Sequence, residues 1–213
     1  KEHIAVCGYH GWQDWYIGST LMDLGVPIAV RELTHKFEYN NISSLEKIFE
    51  LYDLACVIME PMNTEYPKGN FLENVKKLTH KNNALLIFDE TITGFRFSVG
   101  GAQTIFNVLP DLATFGKGMA NGYPLSAIVG RNDIMKKMEE IFFSGTFGGE
   151  TLSLASANKV IDKYIHEDVA KYLENIGTYL LQELNKIIID NELADIFYTS
   201  GHPSWSFLHI KEQ

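Results

Sequence analysis

One lysine of this sequence stands among glycine and apolar residues, where a surface lysine usually has polar neighbours. It is Lys117, in the segment Phe115-Gly116-Lys117-Gly118-Met119. Surroundings of this kind remove water from an ammonium group and lower its pKa, which an amine needs in order to attack a carbonyl carbon. A lysine in an exposed turn gives the same pattern, so the segment alone leaves both interpretations open.

Two acids follow an apolar run upstream of this lysine. Residues 85–88 are Leu-Leu-Ile-Phe, and Asp89 and Glu90 come next. Open α/β sheets bind ligands at the carboxyl ends of their strands, although a helix cap or a solvated turn would also explain these acids. A magnesium-dependent nucleotide hydrolase needs a Gly-x-x-x-x-Gly-Lys-Ser/Thr loop. The Gly-Lys pair at 116–117 is followed by Gly118, which argues against that function.

The elements that must position these residues alternate between short apolar runs and longer segments of helical periodicity. Runs with Val, Ile and Leu at every position predict strands of a sheet covered on both faces, and the alternation predicts an α/β fold with a largely parallel sheet. The predicted strands are 4–7, 27–30, 55–59, 85–88, 112–115, 126–129, 196–199 and 204–210. The predicted helices are 43–52 (with Ser43 or Ser44 as its N-cap), 71–81, 132–140, 151–164 and 168–191.

Composition limits the classes of function. The 213 residues carry a net charge of -9 and a pI near 5.2 without a basic patch, so no nucleic-acid or anionic-membrane partner is expected. No apolar run approaches the ~20 residues of a membrane span, and the opening residues lead us to expect no signal peptide. Cys7 and Cys56 lie in predicted strands and are expected to be buried thiols of a cytoplasmic protein. The histidines other than His10 lack ligand spacing, so no metal site is expected.

Several motifs in a fixed order carry a resemblance to a known family. They are residues 8–11 (Gly-Tyr-His-Gly), 60–61 (Glu-Pro), 88–96 (Phe-Asp-Glu-Thr-Ile-Thr-Gly-Phe-Arg), 111–112 with 116–117 (Asp-Leu and Gly-Lys), and 144–149 (Ser-Gly-Thr-Phe-Gly-Gly). Together they resemble the class III (ω-type) aminotransferases, and most of all the glutamate-1-semialdehyde 2,1-aminomutase branch. The resemblance runs through essentially the whole chain. It implies an incomplete fold type I large domain over residues 1–192, with 193–213 opening a C-terminal small domain.

The resemblance also implies a pyridoxal 5'-phosphate (PLP) cofactor and gives the motifs their roles. Lys117 would form the Schiff base with PLP and move the proton between substrate and cofactor. Asp89 would pair with the pyridine nitrogen and keep it protonated, so that the ring accepts electrons. Tyr9 would stack on one ring face and Thr91 would pack on the other. Thr146 would donate to the phosphate held by the neighbouring subunit.

The remaining matches and departures concern the surroundings of the cofactor. Glu65 stands where the aminomutase branch has an asparagine near the ring hydroxyl, and His10 and Glu90 would support the site from behind. Thr91 replaces the usual valine, and residues 150–151 are Glu-Thr where many relatives have Asn-Pro. Each of these changes bears on the choice of substrate more than on the cofactor.

The implied activity is amino-group transfer, or an aminomutase reaction, on an amino acid or amino-aldehyde in a homodimer with a shared active site. The family's Ser-Gly-Thr phosphate turn, upstream of the Tyr-His-Gly motif, and most of its small domain are missing from this sequence. The chain alone is therefore expected to hold PLP poorly. A non-catalytic α/β binding or assembly module is the alternative that the residues leave open.

Overall fold

The computed structural model of the protein describes residues 1–211, so Glu212 and Gln213, at the end of the predicted 193–213 segment, lie outside the described residues. A six-stranded sheet has the strand order β2-β1-β3-β4-β5-β6, and a separate hairpin pairs β7 with β8. The strands are β1 (His3–Cys7), β2 (Thr34–Lys36), β3 (Leu54–Met59), β4 (Leu85–Asp89), β5 (Leu112–Phe115), β6 (Ala127–Gly130), β7 (Phe197–His202) and β8 (Trp205–Ile210). The pairs from β2 through β5 are parallel, and β6 is antiparallel to β5. The predicted α/β fold with a mostly parallel sheet is confirmed.

Eight α-helices lie within the described residues. They are α1 (Asp14–Ile17), α2 (Ile28–Arg31), α3 (Ile42–Leu51), α4 (Phe71–Lys81), α5 (Ala102–Phe106), α6 (Asn132–Met135), α7 (Thr151–His166) and α8 (Val169–Asp190). Two 3-10 helices add Lys117–Met119 and Lys136–Glu139. Within the part of the chain that the structure describes, no helix is long and apolar enough to cross a membrane.

The main core lies between one face of the sheet and helices α3 and α4. Leu86 and Phe88 of β4 are buried there together with Leu45 of α3 and Val75 of α4. Burial alternates along β4 and β5, so that the intervening positions are only partly buried. The expectation of a sheet fully covered on both faces is therefore not met within residues 1–211, where one face packs on helices and the other is half-exposed.

Some predicted elements are wrong in type or boundary. Residues 27–30 were expected to be a buried strand, but Pro27, with a φ of -59°, precedes the short helix α2, and Ile28 on that helix is exposed. Proline favours the start of a helix because its fixed φ matches the first turn. The N-cap of α3 is the Asn41 side chain, which accepts from the Ser44 N–H, and not Ser43 or Ser44. The predicted helix 132–140 divides into α6 and a 3-10 turn.

The hairpin of β7 and β8 packs against α8. Gly177 of α8 lies beneath Pro203, and a β-carbon at position 177 would meet the Pro203 carbonyl oxygen at 1.9 Å. The Thr199 hydroxyl donates to Asn185 Oδ1 at 3.0 Å. The two strands predicted at 196–199 and 204–210 thus pair with each other and dock on the long helix.

The parallel pairing determines which residues share an edge of the sheet. The carboxyl ends of β1, β3, β4 and β5 lie at one edge, and the chain continues there into residues 8–10, Glu60, Asp89–Glu90 and Lys117. Asp111 precedes β5 and lies at the opposite edge. The predicted chemical residues therefore collect on the side where α/β sheets bind ligands.

Candidate active site

Asp89 is the last residue of β4 and accepts three hydrogen bonds. Its Oδ1 accepts from the Thr91 N–H and from the Thr114 hydroxyl, each at 3.1 Å. Its Oδ2 lies 2.9 Å from Nδ1 of His10. Asp89 and Thr114 are direct partners in the parallel ladder between β4 and β5, so the sheet register itself brings the hydroxyl to the carboxylate.

The pKa of Asp89 is held below its ordinary value. Burial acts to raise this pKa, but the hydrogen bonds from His10 and Thr91 outweigh burial because they stabilise the charged form. The carboxylate is therefore ionised at neutral pH, although only 14% of its side chain is exposed. Within residues 1–211, no lysine or arginine forms an ion pair with it.

His10 is enclosed behind Asp89, with only 1% of its side chain exposed. Its second ring nitrogen, Nε2, lies 3.1 Å from the carbonyl oxygen of Cys7. Both ring nitrogens thus face oxygen atoms, Oδ2 of Asp89 and the carbonyl oxygen of Cys7. Trp15 stacks on the ring with a centroid distance of 6.2 Å. These contacts fix the imidazole so that it orients Asp89 from behind.

Glu60 is a second buried carboxylate at this edge, directly after β3. Its Oε2 accepts from the Tyr9 N–H at 3.2 Å and from Asn63 at 2.6 Å. Burial raises the pKa of Glu60, and these bonds only partly offset that effect. Gly8 has a φ of +104°, and a β-carbon there would lie 2.4 Å from Glu60 Oε2. The Gly-Tyr-His segment can approach Glu60 only because glycine occupies this position.

Lys117 begins a 3-10 turn two residues after the end of β5. Its φ of +39° is left-handed, a conformation that costs roughly 1–2 kcal/mol for a residue with a β-carbon and is concentrated at functional sites. A β-carbon built on Gly116 lies 3.2 Å from Cγ2 of Thr91, so the lysine turn abuts the residue that follows the Asp89–Glu90 pair. The lysine side chain itself is exposed. The expectation that its neighbours withdraw it from water is therefore wrong for this structure.

Glu90 points away from Asp89 and organises the loop behind it. Its carboxylate accepts from the N–H groups of Ala102 and Gln103, at 2.8 and 2.7 Å, and from the Thr93 hydroxyl. Burial raises the pKa of this fully buried acid, and the bonds only partly oppose it. Glu90 thereby joins the loop 91–101 to the start of α5.

Three other predicted site residues lie around this cluster. Tyr9 is largely exposed, with its ring edge-on to Tyr16 at 5.5 Å. Glu65 is exposed and pairs with Lys68 at 2.8 Å, a contact that lowers the pKa of Glu65. Thr146 lies in the exposed loop 141–149, which borders an open cleft of about 450 Å³ with residues 124–126 on its other side. The structure thus joins Asp89, His10 and Thr91 directly by hydrogen bonds, whereas Glu65 and Thr146 have other neighbours.

The thiols of the two cysteines are not part of the cluster around Asp89, and within the described residues neither belongs to a metal-binding group. Cys7 and Cys56 are both free, and burial raises their thiol pKa values to about 12 and about 11. Among residues 1–211 no group of three or more His, Cys, Asp and Glu side chains is placed to hold a metal ion. This edge of the sheet therefore carries an ionised carboxylate (Asp89), a buried acid (Glu60) and an exposed amine (Lys117).

This arrangement has a counterpart in a known family. The family model described as "Aminotransferase class-III" matches residues 18–196. The chain belongs to the class-III aminotransferases. It is 34% identical over 221 aligned positions to a 3-aminobutyryl-CoA aminotransferase of Cloacimonas acidaminovorans (strain Evry), covering 100% of this chain and 52% of the relative. It is 36% identical over 196 positions to a glutamate-1-semialdehyde 2,1-aminomutase of Francisella philomiragia, covering 84% of this chain and 45% of the relative.

Solved structures of other proteins share the fold. The FumI protein of Sphingopyxis sp. MTA144, in its PLP internal aldimine form, superposes with a TM-score of 0.89 at 23% identity, covering 100% of this chain and 52% of that protein. An omega-transaminase from Sphaerobacter thermophilus gives 0.84 at 24% identity, covering 100% and 54%. This class-III aminotransferase chain spans about half the length of the curated relatives it matches.

Two contacts of the cluster were missed from the sequence. Thr114 was seen only as part of an apolar strand, and Glu60 was matched by resemblance without a partner. A threonine one strand away from an acid gives no local signal, because its contact with Asp89 depends on strand register. The Gly8 and Glu60 contact has a partial signal, since a glycine directly after a strand indicates close backbone approach.

Proposed function

We propose that the parent protein is a PLP-dependent enzyme that transfers an amino group, as an aminotransferase or an aminomutase. The observation that carries the proposal is the ionised, partly open carboxylate of Asp89 at the end of β4, beside the strand that delivers Lys117. A pyridine ring nitrogen needs such an acceptor to stay protonated, and an aldehyde needs such an amine. The two groups follow neighbouring strands of the same sheet.

The residues present fit PLP by their donor chemistry. Asp89 has three of its four lone-pair positions occupied by donors, so one on Oδ2 stays available to a ring N–H. Gly116 and Gly118 carry no side chains beside the lysine. When bound, PLP supplies an electron sink that stabilises negative charge developing at the substrate carbon.

Each residue of this chain then has a task of its own. Lys117 would hold the cofactor aldehyde through Nζ, and its amine would move the proton at the substrate carbon. Asp89 holds the proton on the ring nitrogen, and His10 orients Asp89. In this proposal Tyr9 and Thr91 cover the two faces of the ring, and Glu65 lies toward the ring hydroxyl.

The finer features of the proposal concern assembly and substrate. We place the protein in the cytoplasm as a homodimer in which Thr146 reaches the phosphate site of the partner, consistent with its exposed, glycine-rich loop. The substrate is a small amino acid or amino-aldehyde. Residues 1–192 form part of the large domain and 193–213 open the small domain. A parent protein that binds PLP equally well as a monomer would contradict the role of Thr146.

The test uses the full-length parent protein with added PLP. We expect an absorbance band at the edge of the visible range in the wild type and its loss in Lys117→Ala. The matched control is Lys159→Ala, because Lys159 lies on the exposed face of α7 in an ion pair with Asp162. A wild type without the band, or a Lys117→Ala variant that keeps it, would contradict the proposal and favour a non-catalytic binding module.

A further inference from the structure

The hydroxyl of Thr114 belongs to a chain of contacts that ends on the carboxylate proposed to face the cofactor. Thr114 donates to Asp89 Oδ1 at 3.1 Å. The Thr91 hydroxyl lies 3.5 Å from the Thr114 hydroxyl.

The two oxygens of Asp89 are therefore unequal. Oδ1 has both of its lone-pair positions filled, by Thr114 and by the Thr91 N–H. Oδ2 has one position filled by His10 and one still free. Donors on both oxygens prevent the carboxylate from rotating about its Cβ–Cγ bond, since any rotation breaks at least one short contact.

We propose that Thr114 is a positioning residue that fixes the rotation of the Asp89 carboxylate, so that the free position on Oδ2 faces the ring nitrogen of the cofactor. The inference rests on the proposed function, in which Asp89 receives that nitrogen. Thr114 touches neither cofactor nor substrate and acts only through Asp89. Its place opposite Asp89 in the β4–β5 register makes the contact part of the sheet.

The experiment compares Thr114→Val with Thr114→Ser in the full-length holoenzyme. Valine keeps the shape of threonine and removes the donor, whereas serine keeps the donor. We expect Thr114→Val to weaken PLP binding about tenfold and to lower kcat about tenfold with little change in KM, the size expected for one hydrogen bond to a charged acceptor. The proton resonance of the ring N–H should broaden, because a carboxylate whose Oδ1 is held by the Thr91 N–H alone protects that proton less well from exchange. Thr114→Ser should have the PLP affinity, the kcat and the ring N–H resonance of the wild type.

Thr79→Val is the matched control. Thr79 is fully buried in α4, and its hydroxyl donates to the Val75 carbonyl at 2.7 Å, remote from Asp89. It should lower thermal stability without moving PLP affinity or the N–H resonance. If Thr114→Val does not fold, Thr114→Cys, whose thiol is a weak donor, carries the same expectation.

The outcomes separate this inference from the proposed function. A wild type that binds no PLP contradicts the proposed function and, with it, the inference. A wild type that binds PLP, with a Thr114→Val variant of unchanged affinity and unchanged N–H resonance, overturns only the role of Thr114.

Discussion

Two aspartates, Asp111 buried and Asp89 partly buried, lie at opposite edges of the same sheet and differ in what neutralises them. Asp89 follows β4 at the carboxyl edge, and Asp111 precedes β5 at the amino edge. Each accepts three hydrogen bonds and contacts a histidine, and each has its pKa held below the ordinary value although burial alone would raise it. By these measures the two aspartates are equivalent.

Two of the three partners of Asp111 are side chains at the surface, and one of them, Arg131, is a cation. Arg131 donates to Oδ1 at 2.8 Å, and His80 lies 2.8 Å from Oδ2. The Leu86 N–H also donates to Oδ2, at 2.8 Å. Only 3% of the Asp111 side chain is exposed. This carboxylate joins β4, α4 and the end of β6, and its charge is already balanced by a resident cation.

Asp89 instead has an N–H group, a hydroxyl and one enclosed histidine as partners. It also keeps more of its side chain open than Asp111 does. A partly buried carboxylate that pairs with no arginine or lysine within residues 1–211 suits a ligand that brings positive charge. The source of the neutralising charge therefore distinguishes an acid that serves the fold from one that serves a ligand.

The largest expected effect is on turnover at the carboxyl edge. Asp89→Asn should keep the Lys117-dependent absorbance band of the full-length protein but lower kcat by more than about 100-fold, because a neutral amide cannot keep the ring nitrogen protonated. Steady-state kinetics and absorbance spectra measure both. Asp111→Asn is the paired variant, and it should change kcat far less. Equal losses of kcat in the two variants would remove the distinction drawn between the two acids.

A smaller effect is expected on stability at the amino edge. Asp111→Ala should lower the free energy of unfolding by about 2 kcal/mol, since the buried Leu86 N–H loses its acceptor. Urea denaturation at neutral pH measures this change.

The contribution of Asp111 to the free energy of unfolding should change with pH in one direction. Because the folded-state pKa of Asp111 lies below its unfolded value of about 3.9, its stabilisation is present above that value and is lost as pH falls through the folded pKa. Wild-type stability should therefore decrease on acidification below about pH 4 more steeply than that of Asp111→Ala. Parallel curves for the two proteins would contradict the assignment.

The sequence predicted the parts of this account that depend on local pattern. The apolar runs at 4–7, 85–88 and 112–115 are strands, and the helix 71–81 has the observed bounds. The three-residue edge strand Thr34–Lys36 escaped notice because it is short and all three of its residues are polar or charged. The segment 27–30 was misassigned because an apolar run does not show that proline will begin a helical turn.

The site was harder to predict than the fold, for a physical reason. Asp89 and Lys117 could be recognised in the sequence because each lies at or just after the end of an apolar strand. The residues that contact Asp89, however, lie far away in the chain. Thr114 is 25 residues from Asp89, and His10 is 79 residues away. Such contacts follow from strand order and register, which local periodicity does not encode. The exposure of Lys117 likewise depends on how the turn projects from the sheet, and its apolar neighbours did not reveal it.

The most direct test of the central claim is reduction of the PLP-loaded full-length protein with borohydride, followed by peptide mapping. Borohydride makes the bond between a lysine and PLP permanent, so the labelled residue is identified by mass. We predict a single pyridoxyl label, on Lys117, in wild type and in Asp89→Asn. A label on another lysine, or none at all, would contradict the claim that Lys117 is the residue that holds the cofactor.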